Sequence, residues 1–140
     1  MDKLIIIAMK ALIIHNNKAL LIKRSNTDQI SPGTWELVGG KLEFGEDLEE
    51  GLKREILEET GLKVKIEKML YATTFKTHEY RQVVIINYLC HADEENIQLS
   101  DEHDEYQWVG KKTMMRLIPK RMLSNLEENH IFEQIDISED

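Results

Sequence analysis

Residues 40–62 have the sequence GKLEFGEDLEEGLKREILEETGL. The segment contains eight carboxylates and three basic side chains, so it carries −5 of the formal net charge of −8. Such an acidic segment repels an anionic ligand unless a cation lies between them. Hard divalent metals are held by carboxylate oxygens and bring phosphate groups with them. The chemistry of the chain is therefore expected in this segment.

The segment predicts a helix over 47–60. Asp47 and Glu50 have the spacing of a capping box, and Gly61 stands where a glycine ends a helix. An apolar stripe recurs every four residues, at Leu48, Leu52 and Ile56. Gly51 interrupts the helix and costs about 1 kcal/mol relative to alanine. We interpret it as a point of close packing on a neighbouring backbone, and a tolerated defect is equally consistent.

Three glutamates share one side of this helix. At about 100° per residue, Glu55, Glu58 and Glu59 lie within an arc of about 100°. Their mutual repulsion weakens the helix, and its C-terminal half is where the macrodipole least favours anions. A bound Mg²⁺ or Mn²⁺ would offset both effects. The alternative is an ordinary solvated acidic face.

Strands are predicted on both sides of the helix. Before it, residues 4–14 and 19–22 form a long hairpin around the turn 15–18, and after the loop 25–34 a short strand 35–38 ends at Gly39-Gly40. After it come strands 64–77, 82–90 and 106–109, a helical segment beyond Lys111 divided by Pro119, and a frayed end at 136–140. This order predicts an α+β fold, an α/β/α sandwich with a mixed sheet. The strict β-α alternation of a doubly wound fold is missing.

Length and composition limit the class of protein. With 140 residues, 41% of them hydrophobic, the chain is expected to form one domain, 1–140. The acidic balance argues against a binder of nucleic acid polymers, and no apolar run is long enough to span a membrane. Lys10 interrupts the apolar start of the chain, which favours a strand over a signal peptide. Cys90 is the only cysteine, so a reducing cytoplasmic setting is expected.

The spacing within the acidic segment is more specific than its charge. It fits G-x5-E-x7-R-E-U-x-E-E-x-G-U, with U a bulky aliphatic residue, at every fixed position. With about 7% for Gly and Arg and about 15% for Glu, chance predicts on the order of 10⁻⁶ to 10⁻⁵ such matches in a chain of this length. The matching residues are Gly40, Glu46, Arg54, Glu55, Ile56, Glu58, Glu59, Gly61 and Leu62.

This pattern is the Nudix box, and the chain resembles the Nudix, or MutT-like, hydrolase family. The resemblance implies a loop-helix-loop that holds Mg²⁺ or Mn²⁺ and cleaves a nucleoside diphosphate linked to another moiety. It implies that Glu55, Glu58 and Glu59 are metal ligands, with the Gly39 carbonyl as a further one. Arg54 lies one turn before Glu58 and can orient its carboxylate.

The resemblance also points to an acid outside the box. Family members often supply one from a loop before the last strand, where this chain has Glu102 and Glu105. Glu102 matches better, Glu105 is the alternative, and either is equally consistent with a solvated loop acid. The proton acceptor for the attacking water is expected to be Glu55 or Glu102. Glu46, at the helix entrance, is expected to be structural.

By resemblance to nucleoside-triphosphate-cleaving members, a phosphate contact is expected at Arg24, and Lys41 is a further candidate because of its basic side chain near Arg24 in the sequence. The alternative for Arg24 is an unpaired surface residue. Trp35 could stack on a base, although its place in a strand favours core packing. His91 and His103 lack metal-ligand spacing, so zinc is not expected.

Three functions are compatible with these observations. The full set of box carboxylates favours an active hydrolase of a small-molecule nucleotide, and the GGKLE run at 39–43 favours nucleoside triphosphates. A catalytically silent nucleotide-sensing module would be expected to lack some of those glutamates. An interaction protein with an acidic helix leaves the spacing unexplained. By resemblance, the chain is expected to act as a monomer or a homodimer.

Overall fold

The computed structural model describes residues 2–27 and 31–140, so part of the predicted loop 25–34 lies outside the described residues. Its strands form one mixed sheet between two helical layers. The elements are β1 (Leu4–His15), β2 (Lys18–Arg24), β3 (Trp35–Glu36), β4 (Val38–Lys41), α1 (Leu48–Thr60), β5 (Val64–His78), β6 (Arg81–Ala92), β7 (His103–Val109), α2 (Lys111–Leu117), α3 (Lys120–Glu128) and a 3₁₀ turn (Ile131–Glu133).

The sheet is built around β1. Its main path runs β3-β2-β1-β6-β5, and β4 pairs with β1 while β7 pairs with β2. The β1–β6 pair is parallel from Leu4↔Arg81 to Ile14↔His91, and the other pairs are antiparallel. The predicted mixed sheet is therefore confirmed.

Each face of the sheet has its own apolar core, because successive strand side chains point to opposite faces. On one face Leu52 and Ile56 of α1 are fully buried in a cluster that includes Met9. On the other face Met114 of α2 and Leu126 of α3 are fully buried in a second cluster. This arrangement confirms the predicted α/β/α sandwich.

The hairpin of β1 and β2 is shorter than predicted. Asn16 and Asn17 both have positive φ, 49° and 62°, as a two-residue type I′ turn requires. Direct pairing is limited to Ile14↔Ala19 and His15↔Lys18. Beyond these pairs the strands separate, because β4 pairs with β1 and β3 pairs with β2 along the two edges that would otherwise meet.

The prediction that Gly39-Gly40 ends the strand was wrong. Both glycines lie inside β4 and pair with Lys10 and Met9 of β1. A Cβ on Gly39 would overlap the Met9 carbonyl oxygen. The glycines therefore allow β4 to approach β1 closely, and they are part of the strand.

The ends of α1 agree with the sequence only in part. Gly61 adopts the left-handed conformation with φ 77°, as predicted. Asp47 occupies the N-cap position but makes no side-chain capping hydrogen bond, so the capping-box prediction was wrong. A Cβ on Gly51 would lie 2.8 Å from Met9 Cε and 3.0 Å from Glu46 Oε1. Close packing at Gly51 is thus against two side chains, not against a backbone.

The end of the chain is held in place, and the prediction that 136–140 is frayed was wrong. The Ser138 amide donates to Asn17 O over 2.7 Å, and Lys111 N donates to Ser138 O over 2.8 Å. Asp140 Oδ1 accepts from the backbone and hydroxyl of Thr113. As predicted, Pro119 separates α2 from α3. No helix of the described residues is long and apolar enough to cross a membrane.

Candidate active site

Arg54 joins the loop before α1 to the glutamates of the helix. Its Nε and Nη2 donate to the two carboxylate oxygens of Glu46 over 2.6 and 2.9 Å. Its Nη1 donates to Glu55 over 3.0 Å and to Glu58 over 3.2 Å. The expected contact between Arg54 and Glu58 is therefore present. Hydrogen bonds from Arg54 lower the pKa of Glu46 to about 2, and Glu46 in turn raises the pKa of Arg54.

The side chain of Glu55 lies between its own helix, α1, and β4. A Cβ on Gly40 would overlap the Glu55 carboxylate, so the bare glycine backbone makes room for it. Burial raises the pKa of Glu55, and the charges of Glu58 and Glu59 add to the rise, while Arg54 opposes it. A carboxylate with a raised pKa and one fixed hydrogen bond is suited to accept a proton.

The three box glutamates differ in exposure. The Glu58 side chain is 57% exposed, whereas that of Glu55 is 15% exposed and that of Glu59 only 10%. Glu59 Oε2 accepts from the Ser100 hydroxyl over 2.7 Å and lies 3.0 Å from His103 Nδ1. Burial favours a higher pKa for Glu59, but these two contacts outweigh it and lower the pKa.

The loop before β7 is attached to the C-terminal end of α1. Ser100 N donates to Glu59 O and Gln98 N to Thr60 O, which satisfies two of the free carbonyls of the last helical turn. The same loop places Glu102 beside Glu59, with ligand atoms of both within 4.8 Å. The negative charge of Glu59 raises the pKa of Glu102.

The alternative acid, Glu105, points elsewhere. Its Oε2 lies 3.2 Å from Lys23 Nζ, and its side chain is 57% exposed. Of the two loop acids, Glu102 is the one that the structure brings to the box glutamates.

Each of the predicted substrate-contacting residues has different neighbours in the structure. Arg24 Nε forms an ion pair with Glu36 Oε2 over 3.1 Å, so Arg24 is not an unpaired surface residue. Trp35 packs against the core on the α2 and α3 face, opposite α1. Lys41 is exposed, and its carbonyl accepts from Arg54.

Sequence reasoning missed a buried charged chain behind Glu59. His103 lies between Glu59 and Glu36, with Nε2 2.8 Å from Glu36 Oε2. Glu36 also contacts Lys10 at 3.4 Å and Arg24. Burial alone would raise the pKa of Glu36, but Lys10 and His103 outweigh it and lower the pKa to about 2. Burial would lower the pKa of His103, but Glu36 and Glu59 raise it to about 9.

No local spacing signals this chain of charges. Its members lie on β1, β2, β3, α1 and the start of β7, and only the sheet pairing and the packing of α1 bring them together. The one available signal was His103 itself, next to the predicted ligand Glu102. β7 begins at His103, three residues earlier than predicted, and this places the imidazole in the sheet.

The donors present fit a divalent cation. Glu59, Glu102 and His103 each offer a ligand atom, and these atoms lie within 4.8 Å of one another. Glu55 and Glu58 lie on the same helix and share the Nη1 group of Arg54. A carboxylate-rich helix on a mixed sheet is therefore compatible with the class of metal-dependent hydrolases.

Known proteins agree with this class. The model of the NUDIX domain matches residues 6–126. The nucleoside triphosphatase NudI of Escherichia coli O139:H28 (strain E24377A / ETEC) is 32% identical over 114 residues, which cover 74% of this chain and 81% of that protein.

Solved structures show the same likeness. The MutT protein from Methanosarcina mazei Go1 superposes with a TM-score of 0.84 at 29% identity, over 96% of this chain and 99% of that one. The MutT NUDIX hydrolase from Burkholderia pseudomallei gives 0.70 at 26% identity, over 84% and 89%. The chain belongs to the NUDIX family. The prediction of a Nudix-type hydrolase, an enzyme that cleaves phosphoanhydrides, is confirmed.

Proposed function

We propose that this chain, as one domain over residues 1–140, is a Mg²⁺- or Mn²⁺-dependent pyrophosphohydrolase of nucleoside triphosphates. The observation that carries the proposal is the placement of Glu102 beside Glu59, which adds a loop carboxylate to those of the helix. The likeness to a nucleoside triphosphatase supports the substrate class.

The proposed metal ligands are Glu55, Glu58, Glu59 and Glu102, with the carbonyl of Gly39. A bound divalent cation supplies a water of lowered pKa and neutralises charge on the bridging phosphate oxygens. Neighbouring side chains of the protein fix the positions of these carboxylates. Arg54 fixes Glu55 and Glu58, while Ser100 and His103 fix Glu59.

The proposed substrate contacts are Arg24, Lys41 and Trp35. Arg24 ends β2, and the amide of the following residue, Ser25, donates to the carbonyl of Glu102 over 3.0 Å. A phosphate contact at Arg24 would therefore lie next to the loop acid. Trp35 packs on the opposite face of the sheet, which favours a supporting role over base stacking.

Glu55 and Glu102 are both proposed as proton acceptors. Both have a raised pKa, Glu55 chiefly through burial and Glu102 chiefly through the charge of Glu59. The residue that accepts the proton can be identified from the pH dependence of its glutamine variant. Loss of a general base is offset at high pH, where hydroxide replaces it, whereas loss of a metal ligand alone is not.

The test is a panel of nucleoside triphosphates, oxidised nucleotides, ADP-ribose, dinucleoside polyphosphates and nucleotide sugars, each with Mg²⁺ or Mn²⁺. Released pyrophosphate and phosphate are measured. We expect pyrophosphate release from nucleoside triphosphates that requires the metal. No release from any member of the panel would favour the nucleotide-sensing alternative and overturn the proposal.

Variants test the residue assignment. Glu58→Gln and Glu59→Gln should each lower kcat by at least about a hundredfold, because each removes an anionic ligand from the metal. Glu50→Gln is the matched control, since Glu50 is an exposed glutamate in the first turn of the same helix. Values of kcat within a few-fold of the parent for both ligand variants would contradict the assignment.

A further inference from the structure

His103 is a buried histidine with one ring nitrogen, Nδ1, that makes no hydrogen bond to the described residues. The residue is 9% exposed, and its Nδ1 is buried without a hydrogen-bond partner among the described residues. Glu59 Oε2 lies 3.0 Å from Nδ1, but the alignment is not that of a hydrogen bond. Leaving a buried polar atom unsatisfied is costly, and an atom in this state commonly marks a missing ligand.

The other ring nitrogen is already bound. Nε2 lies 2.8 Å from Glu36 Oε2, and a carboxylate at that position accepts the Nε2 proton, so Nδ1 is the nitrogen that can bind an ion once it releases its own proton. Glu36 is itself fixed by Lys10 and Arg24. Histidines that ligate metals usually donate their second ring N–H to a carboxylate in this way, which fixes the ring and its tautomer.

Two carboxylates lie near His103 Nδ1. Ligand atoms of Glu59, Glu102 and His103 lie within 4.8 Å of one another, so small side-chain movements would let one ion contact all three. Glu102 is exposed while the other two are buried, so the cluster opens to solvent on one side. The set combines an imidazole nitrogen with carboxylate oxygens. Mg²⁺ takes oxygen ligands, whereas first-row transition ions accept imidazole as well.

We propose that His103 Nδ1, Glu59 and Glu102 together bind a first-row transition-metal dication, such as Mn²⁺, Co²⁺ or Zn²⁺, in preference to Mg²⁺. This inference rests on the proposed function only in that Glu59 and Glu102 are the carboxylates assigned there to the metal. It differs from the expectation, based on spacing alone, that His103 is not part of a zinc site. The ion takes the place of a ring proton at Nδ1, so ion and proton compete for the site.

Cobalt is the probe that tests the nitrogen ligand directly. With Nδ1 bound to paramagnetic Co²⁺, the Nε2 proton of the same ring should give a far-shifted proton NMR signal. That proton is held by Glu36 in a buried position, so it should exchange slowly with D₂O. A shifted signal of this kind in the unsubstituted protein at saturating Co²⁺ supports the proposal. Its absence overturns the proposal without the need for any variant.

Two variants complete the test. His103→Gln keeps an amide donor for Glu36 but removes the nitrogen ligand, so it should lose the shifted signal. It should also weaken Co²⁺ binding at least about tenfold, and Mg²⁺ binding less than about twofold. His91→Gln is the control, because His91 pairs with Glu67 and its side chain is 44% exposed. Equal loss of Co²⁺ and Mg²⁺ affinity in His103→Gln would overturn the proposal, since it would make His103 a support for Glu59.

The measurements do not depend on hydrolysis. A chain that binds Co²⁺ through His103 but cleaves no nucleotide contradicts the proposed function and leaves this inference intact. A chain that cleaves nucleoside triphosphates with Mg²⁺ and shows no nitrogen ligation supports the proposed function and contradicts this inference.

Discussion

At the residue scale, one guanidinium organises the acidic segment. Arg54 holds both oxygens of Glu46 and reaches Glu55 and Glu58 with a single nitrogen. This geometry needs a planar fork with several donors, which arginine has and lysine lacks. Arg54 therefore positions two proposed metal ligands without itself being one.

Replacement of Arg54 by lysine should keep the positive charge but remove the planar group with several hydrogen-bond donors. We expect kcat to fall about tenfold to a hundredfold with little change in KM, because the carboxylates are misaligned while substrate contacts remain. Steady-state kinetics with a nucleoside triphosphate measure both constants. Lys53→Arg, at the exposed neighbouring position, is the control and should match the parent. A raised KM with unchanged kcat would instead make Arg54 a substrate-binding residue.

Because of Glu46, the stability of the fold should depend on pH in the acidic range. Its folded-state pKa is about 2, below the ordinary value of 4.5, because Arg54 and the Glu43 amide bind its charged form. A lowered carboxyl pKa contributes stability that is present above pH 4.5 and is lost as the pH falls towards 2. The melting temperature of Glu46→Gln should therefore lie below that of the parent at pH 7, and the difference should shrink as the pH falls through this range.

Glu50→Gln serves as the control for that series, since Glu50 is exposed in the first helical turn. A difference between parent and Glu46→Gln that stayed constant from pH 7 down to about pH 2 would show that the Glu46 carboxylate has no lowered pKa.

At the element scale, two adjacent glycines of β4 pack against different neighbours. Gly39 faces the backbone of β1 at Met9 and Lys10, whereas Gly40 faces the carboxylate of Glu55. The β1 backbone cannot move aside for an added methyl group, whereas the carboxylate at the end of the Glu55 side chain can. Substitution at the two positions should therefore have different consequences.

Gly40→Ala should displace Glu55 and lower kcat at least about tenfold while the melting temperature changes by only a few degrees. Gly39→Ala should destabilise the fold by about 3 kcal/mol or more, a fall of roughly 10 °C, because its methyl group overlaps the β1 backbone. Kinetics and thermal unfolding of the pair distinguish the two effects. Equal stability of the two variants would contradict the close approach of β4 to β1.

The sequence predicted those elements whose signals are local. The box helix followed from the stripe of Leu48, Leu52 and Ile56, and the β1–β2 turn followed from its two asparagines. The role of Gly39-Gly40 could not be predicted in this way, because it depends on β1, about 30 residues earlier. The shortened hairpin has the same cause, since β3 and β4 take the edges along which β1 and β2 would otherwise pair.

The sequence likewise predicted only part of the site. Glu55, Glu58 and Glu59 came from one helical spacing, and Glu102 from a family resemblance. Their unequal burial and the imidazole behind Glu59 arise from the loop before β7 and from β3, which no pattern within α1 can specify.

At the scale of the whole molecule, the end of the chain binds the sheet to the α2 layer. Residues 138–140 donate to the β1–β2 turn and accept from the first turn of α2. Removal of residues 136–140 should lower the melting temperature by roughly 5 °C, since several backbone hydrogen bonds of about 1 kcal/mol each are lost. Activity at temperatures well below melting should persist, because the glutamate helix lies on the other face.

Thermal unfolding of the truncated chain checks this prediction. Glu139→Gln is the matched control, because it retains the backbone hydrogen bonds of the segment. A truncated chain that melts with the parent would show that the segment adds nothing to stability.

The parallel pairing of β1 with β6 also governs how the chain forms during translation. β1 is complete at His15, but the strand that covers its second edge begins only at Arg81. Until that strand emerges from the ribosome, an apolar twelve-residue strand has one edge open to any other extended chain. A message cut short before Arg81 would thus yield a product that contains every glutamate of the box but leaves this edge of β1 without its partner strand.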